Sequence, residues 1–151
     1  MLTGRYKGTD ARPGRPYVRV EIWFPDLDRS GEVTLIIDTG ADVSMVGPDD
    51  AKRLKLESVL RAESPGVRIS PNWVTGIGGR VRPFLVRARL SFLSVDDDTC
   101  LGVKDFEALD IVTPGLTVNS FPSVLGWDFL ADLDEFGFSW PRREIFSVQQ
   151  Q

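Results

Sequence analysis

Between Tyr17 and Phe24 the chain reads YVRVEIWF, with apolar residues at Val18, Val20, Ile22 and Phe24 and other residues between them. A period of two sends alternate side chains to opposite faces, so the stretch predicts a β-strand with one buried face. PDLDRSGE carries turn residues, and the following VTLIID predicts a second strand, so the two form a hairpin with a longish loop. Gly47–Leu56 has Pro48 near its start, acids in the first turn and bases in the last, which predicts a short helix. ESPGVRISPNW, with Pro65 and Pro71, reads as irregular.

Val86, Ala88, Leu90 and Phe92 alternate with Arg87, Arg89 and Ser91, which predicts a long half-buried strand. SVDDDT reads as a turn, and CLGVKDF and ALDIVT as further strand. SVLGWDFLADL passes from an apolar strand end through Gly126 into a helical segment, and GFSWPRREIFSV predicts a closing hairpin. Residues 1–16, with Gly4, Gly8, Pro13, Gly14 and Pro16, read as a loose polar arm, and 149–151 as a tail. One domain is left over 17–148: mostly β, a small closed or partly open β-barrel with one or two short helices. No second copy of the Asp38 segment is found, so there is no internal repeat.

Composition narrows the chemistry. The 151 residues are 42% hydrophobic and 26% charged, as in ordinary globular domains. No apolar run approaches the ~20 residues of a membrane span, and MLTGRYKGTDARPGRP lacks the apolar segment of a signal peptide. A cytoplasmic protein with no membrane partner is therefore expected. The net charge is −4 and the basic residues are scattered, which argues against nucleic acid as a partner. Cys100 is the only cysteine, so no internal disulfide and no thiolate metal cluster can form. The chain has no histidine, which excludes Ser-His-Asp and Cys-His catalysis and histidine-ligated zinc. Acid–base work near neutral pH then falls to carboxylates, lysine, tyrosine or Cys100. No metal or other cofactor is expected.

Against that background the apolar run Leu35-Ile36-Ile37 drives straight into Asp38 and then turns on Gly40. A carboxylate at the end of a buried strand is costly unless hydrogen-bonded, paired or protonated. Asp38 either closes an Asx-turn or is placed for its chemistry. IIDTGADVSMV resembles the active-site loop of aspartic proteases, the retropepsin-like group in particular, where Asp-Thr-Gly-Ala follows an apolar strand. Three other segments resemble that family in its own order. GIGG (Gly76–Gly79) before a long strand resembles the tip of the flap hairpin. SVLGWDFL resembles the apolar-apolar-Gly segment that leads into the family's helix. GFSWPRREIFSV resembles the late hairpin of small cellular and bacterial relatives. Together they span Tyr17 to Val148.

The resemblance implies an acid-protease-type barrel and a homodimeric aspartic endopeptidase acting on polypeptides, each chain supplying one Asp38. Two close carboxylates cannot both ionise easily, so they share a proton; one activates a water and the pair returns a proton to the leaving amine. This chemistry needs no histidine. By the same resemblance Thr39 sends its hydroxyl across the dimer, and Gly40 bends the backbone and offers an amide. Ala41 and Asp42 hold the substrate main chain, although Asp42 reads equally as a solvated loop acid. Gly76, Ile77 and Gly78 form the flap tip, or else an ordinary hairpin turn. Val124, Leu125 and Gly126 read as support beneath the loop, and Trp73 and Phe84 as core aromatics rather than the pocket walls they would otherwise suit. Viral members often carry arginine after the glycine of the apolar-apolar-Gly segment, paired to the acid that Asp42 matches. Here Trp127 stands in that place, so Asp42 has to find Arg142 or Arg143, or stay solvated. The alternative reading keeps the fold and loses activity, as a peptide- or protein-binding module; a small-ligand binder with Asp38 as polar anchor would need no dimer.

Overall fold

A computed structural model of the chain describes residues 2–9, 12–76, 79–115, 120–139 and 144–148. Among these the strands are β1 (Thr3–Thr9), β2 (Arg12–Phe24), β3 (Arg29–Ile37), β4 (Met45–Val46), β5 (Val67–Ile69) and β6 (Val74–Gly76). They continue with β7 (Gly79–Val81), β8 (Phe84–Leu93), β9 (Cys100–Ile111), β10 (Val124–Leu125), β11 (Glu135–Ser139) and β12 (Glu144–Val148). Two short helices, α1 (Pro48–Arg53) and α2 (Trp127–Leu130), and one 3-10 turn at Leu56–Ser58 complete the described elements. The domain is therefore mostly β, and no helix among the described residues is long and apolar enough to cross a membrane.

The alternation along β2 holds in space. Val18, Val20, Ile22 and Phe24 are all buried, while Glu21 and Trp23 between them face outward. Val33, Leu35 and Ile37 of β3 and Val86, Ala88, Leu90 and Phe92 of β8 supply the facing layers of the same core. Each such side chain contributes about 1.5–3 kcal/mol when fully buried. Phe92 stacks on Phe129 of α2 with centroids 4.7 Å apart, which ties the helix to the sheet. On the outer faces Arg19 reaches Glu32 and Arg89 its cross-strand partner Asp105, pairs worth at most about 1 kcal/mol each at that exposure.

β2 is long enough to be shared. β3 runs antiparallel along it from Tyr17 to Phe24, so β1, which covers Arg12–Tyr17, and β8, which covers Arg19–Trp23, lie along its other edge. The main sheet runs β11-β12-β1-β2-β3-β10-β4-β9-β8-β5, mixed in direction because β10 is parallel to β3 and β4 is parallel to β9. The hairpin β6–β7 is a separate two-stranded sheet.

Two sequence expectations are corrected. Residues 1–16 are not a loose arm: β1 and the first half of β2 occupy most of that stretch, and β1 also pairs with β12, Thr3 opposite Phe146. The glycines and prolines there mask a strand that pairs with the start of β2 beside it in sequence and with β12 from the far end of the chain. The segment read as irregular contains β5, which sits at the end of the main sheet against β8. α1 forms where expected, with Pro48 at its first turn, Asp49 and Asp50 near its N-terminus and Lys52 and Arg53 at its end.

Candidate active site

The loop 38–44 leaves β3 and enters β4, and both strands are fastened to β10. Leu125 lies beside Ile37 in parallel pairing, and Met45 lies beside Val124 in antiparallel pairing. The Asp38 N–H donates to the Leu125 carbonyl at 3.1 Å, continuing the β3–β10 ladder one residue past the strand. The chain then turns: the Ala41 N–H donates to the Asp38 carbonyl at 3.1 Å, and the Gly40 N–H to Asp38 Oδ1 at 2.9 Å. Asp38 thus does close an Asx-type turn, and its side chain is exposed, like those of Thr39 and Asp42. The two readings of Asp38 do not compete, since the turn holds one carboxylate oxygen and aims the group outward at the rim of the core.

Beneath the exposed crest the loop is clasped from the other side. The Trp127 N–H donates to the Ala41 carbonyl at 2.9 Å and the Asp128 N–H to the Asp42 carbonyl at 3.1 Å. Trp127 Nε1–H donates to the Thr39 carbonyl at 2.7 Å, and its ring meets Phe136 edge-on at 6.2 Å. Trp127, directly after Gly126, is thus an indole that binds the loop's backbone. Arg142 and Arg143, the bases considered for Asp42, lie outside the described residues.

The strongest tie was not foreseen. The Ser44 N–H donates to both oxygens of the Asp128 carboxylate, each at 2.9 Å, and the Ser44 hydroxyl donates to Oδ1 at 2.5 Å. The same hydroxyl oxygen accepts the Gly126 N–H at 3.0 Å. Ser44 is buried, so this is a desolvated, charge-assisted knot worth about 1.5–3 kcal/mol per bond to the ion. A second serine repeats the theme lower down: Ser123 Oγ–H donates to Asp50 and Ser123 Oγ accepts the Gly47 N–H. Asp110 lies on β9 beside Met45, the residue after Ser44, and is only 8% exposed. Burial, and then the charge of Asp128, push its carboxyl up to about 6. The signals for these residues were a serine six positions after Asp38, an acid two positions after Gly126, and an acid inside the apolar run Leu109–Val112.

The proposed flap residues fall apart from the loop in sequence and in sheet. Gly76 closes β6 opposite Gly79 of β7, with Val74 opposite Val81 and Thr75 opposite Arg80. Ile77 and Gly78, the rest of the proposed tip, lie outside the described residues. Gly79 has φ +105°, a conformation that side chains with a Cβ rarely adopt, so glycine is required there. At the hairpin's root Trp73 is 51% exposed and not core, with the Arg80 guanidinium 4.6 Å and that of Arg82 5.9 Å from its ring centre. Each cation–aromatic contact contributes about 0.5–1 kcal/mol at such an exposed place. Phe84 is half-buried and packs on the core.

A groove of about 580 Å³ lies on the outer side of β3, walled by Thr34, Ile36, Asp49, Asp50, Arg53 and Ser120 among others. Asp38 is not one of its walls, and its floor belongs to the scaffold of α1 rather than to the loop. Chemically, the loop 38–42 offers an exposed carboxylate on a rigid base, with neighbouring backbone amides. No family model, no curated protein and no solved structure matches this chain.

Proposed function

We propose that the chain is a retropepsin-like aspartic endopeptidase that works as a homodimer, with the two copies of Asp38 sharing a proton across a two-fold axis. The observation that carries the reading is the Asp38 carboxylate, exposed at the end of a buried strand and held at one oxygen by the Gly40 amide. The pairing of β2 with both β3 and β8, which brings the sheet back on itself, supports a barrel of the acid-protease type. So does the parallel β3–β10 contact that locks the loop from beneath.

In this reading the water lies between the two carboxylates. The ionised one takes its proton as the oxygen attacks the peptide carbonyl, and the protonated one polarises that carbonyl; the amine then leaves with a proton from the pair. Thr39 reaches toward the partner loop, and the backbone of Ala41 with Asp42 aligns the substrate chain. The hairpin β6–β7, with Gly76, Ile77 and Gly78 at its tip, covers the substrate.

Two measurements test this. Specific activity on unfolded or peptide substrates, on the acid side of neutral, should rise with protein concentration until dimers saturate, because one chain holds half a site. A statine-type inhibitor, whose hydroxyl imitates the attacking water, should block it. Activity that is independent of concentration and indifferent to the inhibitor would reject the reading.

The flap assignment has its own test. Replacing Gly79 with valine forces a side chain into φ +105°, which costs about 1–3 kcal/mol. Because β6–β7 stands outside the main sheet, that cost falls on the hairpin and not on the core. Turnover of peptides should drop roughly ten-fold or more while the melting temperature moves little. Normal turnover would make this hairpin an ordinary turn.

A further inference from the structure

The hairpin β6–β7 has two unlike faces. Val74 and Val81 stand opposite each other and are half-buried. Trp73, Thr75, Arg80 and Arg82 are exposed, and alternation puts them on the other side, Thr75 directly opposite Arg80. Both guanidiniums gather at the Trp73 ring. The Arg82 Nε–H also donates to the carbonyl of the buried Ser70 at 2.9 Å, which fixes this cation at the hairpin's root. Among the described residues neither Arg80 nor Arg82 makes an ion pair, whereas Arg19, Arg53, Arg87 and Arg89 each meet a carboxylate. Two like charges held at one exposed ring repel, and an anion placed between them relieves that repulsion.

We propose that this face of the hairpin is a docking surface for an acidic stretch of a polypeptide. Trp73 is its shelf: the ring holds the two guanidiniums in place before the partner arrives, which lowers the ordering cost of binding. The arginines supply planar forks of N–H donors that match carboxylates. A polypeptide fits this face better than a nucleic acid does. The whole chain carries a net charge of −4, which opposes the close approach of a long row of phosphates. Two cations beside one ring also match one or two carboxylates, not a phosphate ladder with successive stacked bases. The inference deepens the peptidase reading, on which its consequence for substrate choice rests: polypeptides with an acidic stretch are then the substrate class, caught by the exposed face of the hairpin that covers them.

Fluorescence anisotropy of fluorescein-labelled hexaglutamate tests this on the full Asp38→Asn chain, which separates binding from cleavage. Hexaglutamate should bind about ten-fold tighter, or more, than labelled hexaserine at low salt, and the preference should fade as salt is raised. Arg80→Glu should weaken hexaglutamate binding about five-fold or more. Arg80 is exposed on a hairpin outside the main sheet, so the change leaves the core in place. Lys52→Glu, in the last turn of α1, alters the net charge equally and should leave binding as it was. Trp73→Ala, which removes the shelf, should weaken binding about three-fold.

No preference for hexaglutamate over hexaserine would overturn the proposal. So would equal losses in Arg80→Glu and Lys52→Glu, since only the overall field of the chain would then be felt. Unchanged binding by Trp73→Ala would take the ring out of the site and overturn it too. Labelled hexathymidylate that binds tighter than hexaglutamate would do the same, by making this face a nucleic-acid platform. A chain that binds hexaglutamate as described and cleaves no peptide ends the peptidase reading and leaves this one standing. A chain that cleaves peptides without such binding does the reverse.

Discussion

Asp38→Asn is expected to abolish peptide cleavage, by roughly 10³-fold or more, with no loss of fold. The change keeps the side chain's size and the oxygen that accepts the Gly40 amide, and the group stands exposed, so the turn and the core beneath it have no reason to move. What it removes is the negative charge that, in the proposed mechanism, takes the water's proton. Mixing makes the test sharper. If wild-type and Asp38→Asn chains exchange freely in equal amounts at fixed total concentration, random pairing leaves about a quarter wild-type dimers and half mixed dimers. A mixed dimer has one carboxylate and is close to dead, so activity should settle near a quarter of the unmixed sample. A fall to only a half would mean that each chain works alone, and undiminished hydrolysis by the pure variant would remove Asp38 from the chemistry.

The second large effect is expected at Gly126. A Cβ there would stand 2.7 Å from the Ala41 carbonyl oxygen and 2.7 Å from the carbonyl carbon and oxygen of Val43. These are backbone atoms of the loop itself and cannot rotate aside. Gly126→Ala must then push the Asp38 loop away from β10 and pull the Gly126 amide from the Ser44 hydroxyl. Overpacking of this kind costs about 3 kcal/mol, a drop of roughly 6–12 °C in melting temperature for a chain of this size. Any peptidase activity should be lost well below the new melting point. Gly31→Ala is the control, because there the added methyl meets the end of the Leu54 side chain, which can turn away. Equal losses at the two positions would mean that the loop is not wedged against Gly126.

What could be read from the sequence was what is local. The apolar run into Asp-Thr-Gly, the Gly126 segment and the proline-led α1 each declare themselves within a dozen residues, because strand period, turn chemistry and helix capping act at short range. Ser44 and Asp128 are 84 residues apart, and each alone is an ordinary polar residue near a turn. Only the parallel crossing of β10 beside β3 brings them together. Asp110 was taken as one more residue of a strand, since period two permits an outward acid at any second position; the β4 pairing turns it inward. β1 was missed although one of its partners, β2, is adjacent in sequence: glycine and proline hide the alternation on both strands, and the other partner, β12, lies at the far end of the chain.

The crossing of β10 beside β3 also sets an order of events during synthesis. Ile36 finds its partner Val124 only after the intervening residues have been made. At about 5–20 residues per second the ribosome delivers that partner several seconds late. During this interval β2 and β3 can pair as a hairpin, but the far edge of β3, with its apolar Leu35 and Ile37, has no strand to meet. An apolar strand waiting with an open edge is a template for the wrong neighbour, including the same strand of another nascent chain. Asp38, at the end of that edge, gains its backbone bond to Leu125 only when the wait is over. A nascent chain therefore carries Asp-Thr-Gly long before it carries a finished loop, and any proteolytic power is withheld until nearly the whole domain has emerged.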